Sequence, residues 1–255
     1  IGKLQVSNCV FENSSGGVFF NCIVQNAICV GNRFANLSVS NSGVDTAGLW
    51  LGTNTYASQN LMKKHIVVGN IFDTITGTDE VHGVISYGRE AIIADNLFNT
   101  INNGVLTDCE AVYTKCRWAS IVNNTFIACD AGDNRGCISV KGSLRGVTAN
   151  PQGYSVTVAN NRFYSTTGAT CGLFIENDDV DVSGNLFEGF GLYAIKTSSV
   201  IGGANISIRD NTVRKHRGAV AILSQGYGGN IAVVRNKIYE VLGTEGTNAV
   251  CGAIQ

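Results

Sequence analysis

Proline is almost absent from this chain, one residue in 255, and there is one methionine. Charged residues make up only 15%, and the common helix formers Leu, Glu and Lys are sparse. No stretch of ten or more residues carries a 3.6-residue apolar period, so almost no helix is expected. No apolar run reaches 18 residues, so a membrane-spanning helix is not expected. The net charge is -1 and no basic face stands out, so nucleic acid is not an expected partner. The chain opens on Ile1 without a signal-peptide pattern and is silent about export. The nine Cys are odd in number and contain no CxxC pair. Most lie in apolar strand-like runs, such as Ala27-Ile28-Cys29-Val30 and Gly136-Cys137-Ile138-Ser139-Val140, where a thiol acts as a small buried hydrophobe. Disulfides or metal thiolates are the lesser alternative.

What is present is strand-and-turn chemistry. Gly supplies 31 residues and Asn is abundant, while Val, Ile, Thr and Phe recur in short runs broken by Gly, Asn, Asp and Ser. One motif repeats: a small or polar residue, Asn, any residue, then an aromatic or aliphatic one. It appears as Gly31-Asn32-Arg33-Phe34, Gly69-Asn70-Ile71-Phe72, Asp95-Asn96-Leu97-Phe98 and Asn123-Asn124-Thr125-Phe126. It continues as Asn160-Asn161-Arg162-Phe163, Gly184-Asn185-Leu186-Phe187, Asp210-Asn211-Thr212-Val213 and Arg235-Asn236-Lys237-Ile238, with Asn8-Cys9-Val10-Phe11 as an earlier, weaker copy. Successive Asn residues, from Asn8 onward, are 24, 38, 26, 28, 37, 24, 26 and 25 apart.

A period of this size marks a solenoid whose repeats bury their apolar faces only against neighbours. The expected fold is all-β: a right-handed single-stranded parallel β-helix of about nine to ten coils of ~25 residues. The motif Asn is read as structural. Asn tolerates left-handed backbone and bonds its own backbone at a turn, and Asn side chains stacked at one coil rise, about 4.8 Å, can bond one another. The following Phe would stack inside. The two long intervals are one coil plus about a dozen inserted residues. The inserts are placed at 42–56, and at 129–136 with 148–154. Such loops could wall a binding groove or be tolerated surface insertions. Neither end reads as a cap, so residues 1–255 are expected to be one β-helix domain cut from, or ordered within, a longer protein.

The motif also serves as a ruler. Glu80 and Asp108 each lie 16 residues before a motif Asn, so they should neighbour each other on successive coils. Glu110 shares a strand face with Asp108. Three close carboxylates repel unless solvated, protonated or bound to a cation, and oxygen-only ligands suit Ca²⁺. With about six inserted residues removed, Lys141 falls at the level of Glu110, flanked by Lys115 and Arg145. A solvated ion-pair face is the plain alternative.

The stretch from Asp108 through Glu110 to Lys115 and Cys116, followed by Ile121-Val122-Asn123-Asn124-Thr125-Phe126, resembles the E-x-E-x4-K-S … N-N-T-F segment of polysaccharide lyase family 6, the chondroitinase B and alginate lyase group. This is a family of the pectate-lyase-like β-helix superfamily. Residues 80–88 resemble its N-G-G-E-A-I-R-I-G segment, and Ile138 to Arg145 sits where it has T-L-R-H-G-N-R. The likeness spans about residues 69–165. It implies β-elimination on a uronic-acid polysaccharide, at an extracellular or virion surface. Carried over, Glu80, Asp108 and Glu110 would hold Ca²⁺, Lys115 would be the base, Lys141 would take the place of an Arg acid, and Arg145 would match a second Arg. Glu stands for the family's Asn ligand, Asp for its first Glu and Lys for its Arg, and the last change leaves the acid step open. His82 is a spare acid or base. Two alternatives remain. One is a glycoside hydrolase of the trimeric phage-tailspike type, using Asp108 and Glu110, or Glu176, Asp178 and Asp179. The other is a non-catalytic glycan-binding or structural module, with a homo-oligomer as a further partner.

Overall fold

The computed structural model describes residues 2–20, 22–41, 43–53, 61–102, 109–129, 135–141, 155–166, 171–177, 179–199, 204–218, 221–226 and 229–240. Each coil carries one strand in each of three parallel sheets. In one coil these are Lys64–Val68 in the first sheet, Ile71–Gly77 in the second and Val81–Ser86 in the third. The first two sheets hold nine strands each and the third eight, stacked in chain order among the described residues. The molecule is a right-handed parallel β-helix of about nine coils, without helix among those residues. Parallel strands in one sheet need a crossover, and here each crossover is made by the other two strands of the coil.

Two internal ladders hold the coils in register. The first is the Asn ladder. Asn124 Nδ2 donates to Asn161 Oδ1 at 3.0 Å and to Ile93 O at 2.9 Å, while Asn124 Oδ1 accepts from the backbone N–H of Asn96 at 3.0 Å. The same pattern links Asn32, Asn70, Asn96, Asn124, Asn161, Asn185, Asn211 and Asn236. The second is a stack of parallel rings through Phe11, Phe34, Phe72, Phe98, Phe126, Phe163 and Phe187, with centroids 4.5–5.0 Å apart. Val213 and Ile238 continue the column in the last coils.

Several expectations are corrected in detail. The left-handed residue is not the ladder Asn but the one before it: Gly31, Gly69, Asp95, Asn123, Asn160, Gly184, Asp210 and Arg235 all have positive φ. The side chain of the next residue is thereby turned inward. For the same reason Asn8, with φ 55°, is not a ladder residue. Cys9 holds that position, and its N–H donates to Asn32 Oδ1 at 3.0 Å.

The insert placed at 42–56 contains Thr46–Leu51, a regular strand of the third sheet. The extra length comes mainly after it: Leu51 and Lys64 are 13 residues apart, where their partners Ser86 and Glu90 are four apart. No length is added where 129–136 was placed: Ile127 and Ile138 are 11 residues apart, and their partners Asn99 and Val112 are 13 apart. The second insertion falls between Val140 and Ser155, 15 apart, whose partners Thr114 and Trp118 are four apart. Residues 54–56, 130–134 and 148–154 lie outside the described residues, as do Asp108, Arg145, Asp178 and Cys251.

Six of the described cysteines are buried, as expected of core packing. The Cys109 thiol donates to Ile101 O and the Cys137 thiol to Cys129 O, both at 2.9 Å, so these thiols also satisfy backbone carbonyls.

Candidate functional site

The third sheet differs from the other two on its outer face. Its strands are Val18–Phe20, Thr46–Leu51, Val81–Ser86, Cys109–Thr114, Ile138–Lys141, Cys171–Glu176, Tyr193–Ser199 and Ile222–Gly226. Leu49, Val84, Val112, Ile138, Leu173 and Ile195 pair in one column and face the core. The next column, Phe19, Trp50, Ile85, Tyr113, Ser139, Phe174 and Lys196, alternates to the outside. Gly83 abuts the ring stack: a Cβ there would stand 2.7 Å from the Phe98 ring and 2.6 Å from Ala111 O. Only glycine fits, and with Gly83 and Val84 both inward His82 is turned out beside Glu110, its ladder partner.

These outward side chains form an aromatic and charged strip. Ring centroids follow one another from Phe19 to Trp50 at 5.8 Å, to Tyr87 at 6.4 Å and to Tyr113 at 6.0 Å. Lys115 Nζ stands 5.5 Å from the Tyr113 ring and 6.0 Å from the Tyr87 ring. Lys141 Nζ lies 4.2 Å over Phe174 and 2.8 Å from Glu176 Oε2. Lys196 Nζ is 5.9 Å from the Phe174 ring and 5.1 Å from that of Tyr193.

A buried ion network sits beside the tyrosines. His82 Nε2 is 3.4 Å from Glu80 Oε2, and His82 Nδ1 is 3.2 Å from Glu110 Oε2. The second contact is off the line of a hydrogen bond, so charge attraction holds it. Arg135 Nη1 donates to Glu110 Oε1 at 3.0 Å. Both His82 and Glu110 are sealed from solvent. Burial opposes charge on His82, but Glu110 and Glu80 outweigh it and hold the imidazole up to about 9. Contact with His82 lowers the Glu80 carboxyl below its ordinary value. Burial works against the Glu110 charge, yet His82, Arg135 and Lys141 prevail and lower its pKa too. Burial, then Lys141 and Arg135, lowers the pKa of Lys115. Burial and the nearby carboxylates push Tyr87 up to about 12 and raise Tyr113 as well.

The residues picked out by the ruler share one face where they are described. Glu80, Glu110, Lys115 and Lys141 all belong to it, whereas Asp108 and Arg145 lie outside the described residues. One level is corrected: Lys141 follows Val140, the partner of Thr114, and is level with Lys115, not with Glu110. The insertion follows Lys141 on the way to the motif Asn, and removing only about six of its residues shifted the count. Glu80 and Glu110 as placed do not fit a Ca²⁺ site. Both already face the His82 imidazolium, and Glu110 faces the Arg135 guanidinium as well. Sequence reasoning treated His82 as spare and did not single out Arg135, Tyr87, Tyr113 or Trp50. The same ruler could have found Tyr87, which like Lys115 lies nine residues before its motif Asn.

A second polar cluster is enclosed in the rod. His65 Nδ1 meets Ser86 Oγ at 2.9 Å, and Ser86 Oγ meets Cys116 Sγ at 3.4 Å. All three are inside the rod. Burial pulls His65 down to about 4 and raises the Cys116 thiol, so neither the charged imidazole nor the thiolate is available.

Compared with family models, with curated proteins and with solved structures, the chain gives no match. Its class therefore rests on its own geometry: a parallel β-helix with a cation-lined aromatic strip on one outer face.

Proposed function

We propose that the chain is a polysaccharide lyase that cleaves a uronic-acid-containing polymer by β-elimination on the outer face of the third sheet. The observation that carries this reading is Lys115, set against two tyrosine rings, with burial and then Lys141 and Arg135 lowering its proton affinity. An amine so placed is a better base near neutral pH than an ordinary lysine. It would take the C5 proton of a uronate. The electron pair of that C–H bond forms the C4–C5 double bond, and the glycosidic oxygen leaves C4, protonated from solvent or from the new ammonium. Lys141 and Arg135 supply the positive field in which the substrate carboxylate would sit while charge develops at C5. No step is routed through a metal.

A hydrolase reading is weaker. It needs a carboxyl with a raised pKa as acid, and of its candidates Glu110 is lowered. The test is the intact chain on a panel of alginate, chondroitin, dermatan and bacterial capsules, with Ca²⁺ and with a chelator. The expected product absorbs in the ultraviolet through its new C4–C5 double bond, with or without Ca²⁺. Lys115→Ala is expected to remove that activity while keeping the β-sheet circular dichroism. In the parent chain the rate should climb with pH along a limb lying below the ordinary lysine value of 10.5. New reducing ends without unsaturation, or full activity in Lys115→Ala, would overturn the reading.

A further inference from the structure

At the start of the strip the rings emerge. Phe19 is 44% exposed and Trp50 is half-buried, while Tyr87 and Tyr113 further along are buried. Phe19 and Trp50 are ladder partners on adjacent strands, tilted 31° to each other with centroids 5.8 Å apart. The Trp50 indole N–H is occupied by Gly52 O at 3.1 Å, which holds the ring in place. A large apolar ring left open beside a charged strip is unusual where so much aromatic surface is buried. The pair is also in line with Lys115: the rings run Phe19, Trp50, Tyr87, Tyr113 without a gap, on four successive coils.

We infer that Phe19 and Trp50 form a stacking platform for a sugar ring of a polysaccharide whose axis runs along the rod, with Lys115 at the far end of the same track. This rests on the reading of the strip as a glycan site and adds its direction and length. Strands are spaced by about 4.8 Å, so Lys115 is roughly 10 Å along the rod from Trp50 and roughly 14 Å from Phe19. A glycosidically linked pyranose advances a chain by much the same step as one coil, so the ligand spans about three sugar residues between Phe19 and Lys115. The apolar faces of pyranose C–H groups suit the faces of aromatic rings. Among the described residues no cation stands over the Phe19 or Trp50 ring, so the platform grips the sugar ring rather than its carboxylate, and the charge is read at Lys115 and Lys141.

The chain has two tryptophans, Trp50 and Trp118. Trp118 lies on the first sheet under Arg89, away from the strip. In Trp118→Phe the remaining indole fluorescence reports on Trp50 alone. Titration with alginate, chondroitin and dermatan oligosaccharides of two to eight residues should shift or quench that fluorescence for the longer ligands and leave it unchanged for disaccharides. Phe19→Ala should raise KM for the longer substrates about five- to tenfold, the worth of one ring contact. Its kcat, and its KM for the shortest cleaved substrate, should stay as in the parent. A response of Trp50 without unsaturated product would uphold the platform and overturn the lyase. Unsaturated product from long chains, with Trp50 fluorescence and the Phe19→Ala KM unmoved, would overturn the platform alone.

Discussion

His82 is the residue on which the charge network turns. It is enclosed, and it meets Glu80 on one nitrogen and Glu110 on the other. Its folded value of about 9 lies above the ordinary 6.5, so the protonated ring favours the folded state. That contribution is complete below about pH 6.5 and is lost as pH rises through about 9. Glu80 and Glu110 act in the opposite sense. Their lowered values stabilise the fold above the ordinary 4.5, and that part is lost as pH falls. Enclosed His65, pulled down to about 4, likewise removes stability as pH falls below 6.5, so thermal unfolding should give its highest midpoint near pH 6.5, with declines toward pH 4 and toward pH 9. His82→Gln should flatten the alkaline decline. It should also cost about 3–5 kcal/mol in denaturant titration, because it strips one cation from a sealed carboxylate. A wild-type midpoint unchanged from pH 6 to 9 would show that the ring is not charged in the folded chain.

The coil is held by what its neighbours lend it. Asn124 serves three coils at once: it donates to Asn161 and Ile93 and accepts from Asn96. Asn124→Ala leaves several buried donors and acceptors unanswered, each worth about 1–3 kcal/mol, so a loss of about 3–5 kcal/mol is expected by denaturant titration. Asn236→Ala should cost less, since that Asn is only partly buried and, among the described residues, has a ladder neighbour on one side. Cys9 is the informative exception. It occupies the ladder position in the first coil without an amide side chain. Cys9→Asn offers a new donor toward Asn32 and should raise stability by about 0.5–1 kcal/mol. No gain would mean that the first coil is held by its ring contact with Phe34 rather than by the ladder. This repeat was largely readable from the chain, because Asn and Phe recur at near-constant spacing. Which residue of each motif takes the left-handed turn was not, since Gly, Asp and Asn all tolerate it and two of them often stand side by side.

Along the whole molecule, stability is a sum over neighbouring coils rather than the property of one centre. Middle strands such as Trp118–Val122 are paired on both sides, with inward residues fully enclosed. Lys3–Ser7 has a partner on one side among the described residues and alternates between exposed and half-buried. Amide exchange of this 255-residue chain should therefore be slowest from Glu90 to Ser183 and fastest in the first coil, with a gradual change between. A single protection level across all coils would mean that the rod opens only as a unit.

The sequence by itself determined the solenoid, its coil length, the Asn and Phe ladders and the face that carries Glu80, Glu110, Lys115 and Lys141. Each of these follows from a local rule repeated at a fixed period, which leaves its mark on the chain. It could not decide which charges meet across coils. His82 lies two residues from Glu80 but 28 from Glu110, and Arg135 another 25 beyond Glu110. Only the stacking of coils of unequal length closes those distances and sets imidazolium and guanidinium against the two carboxylates. The aromatic track was equally hidden, because Phe19, Trp50, Tyr87 and Tyr113 share no interval in sequence and become neighbours only when the third sheet aligns them.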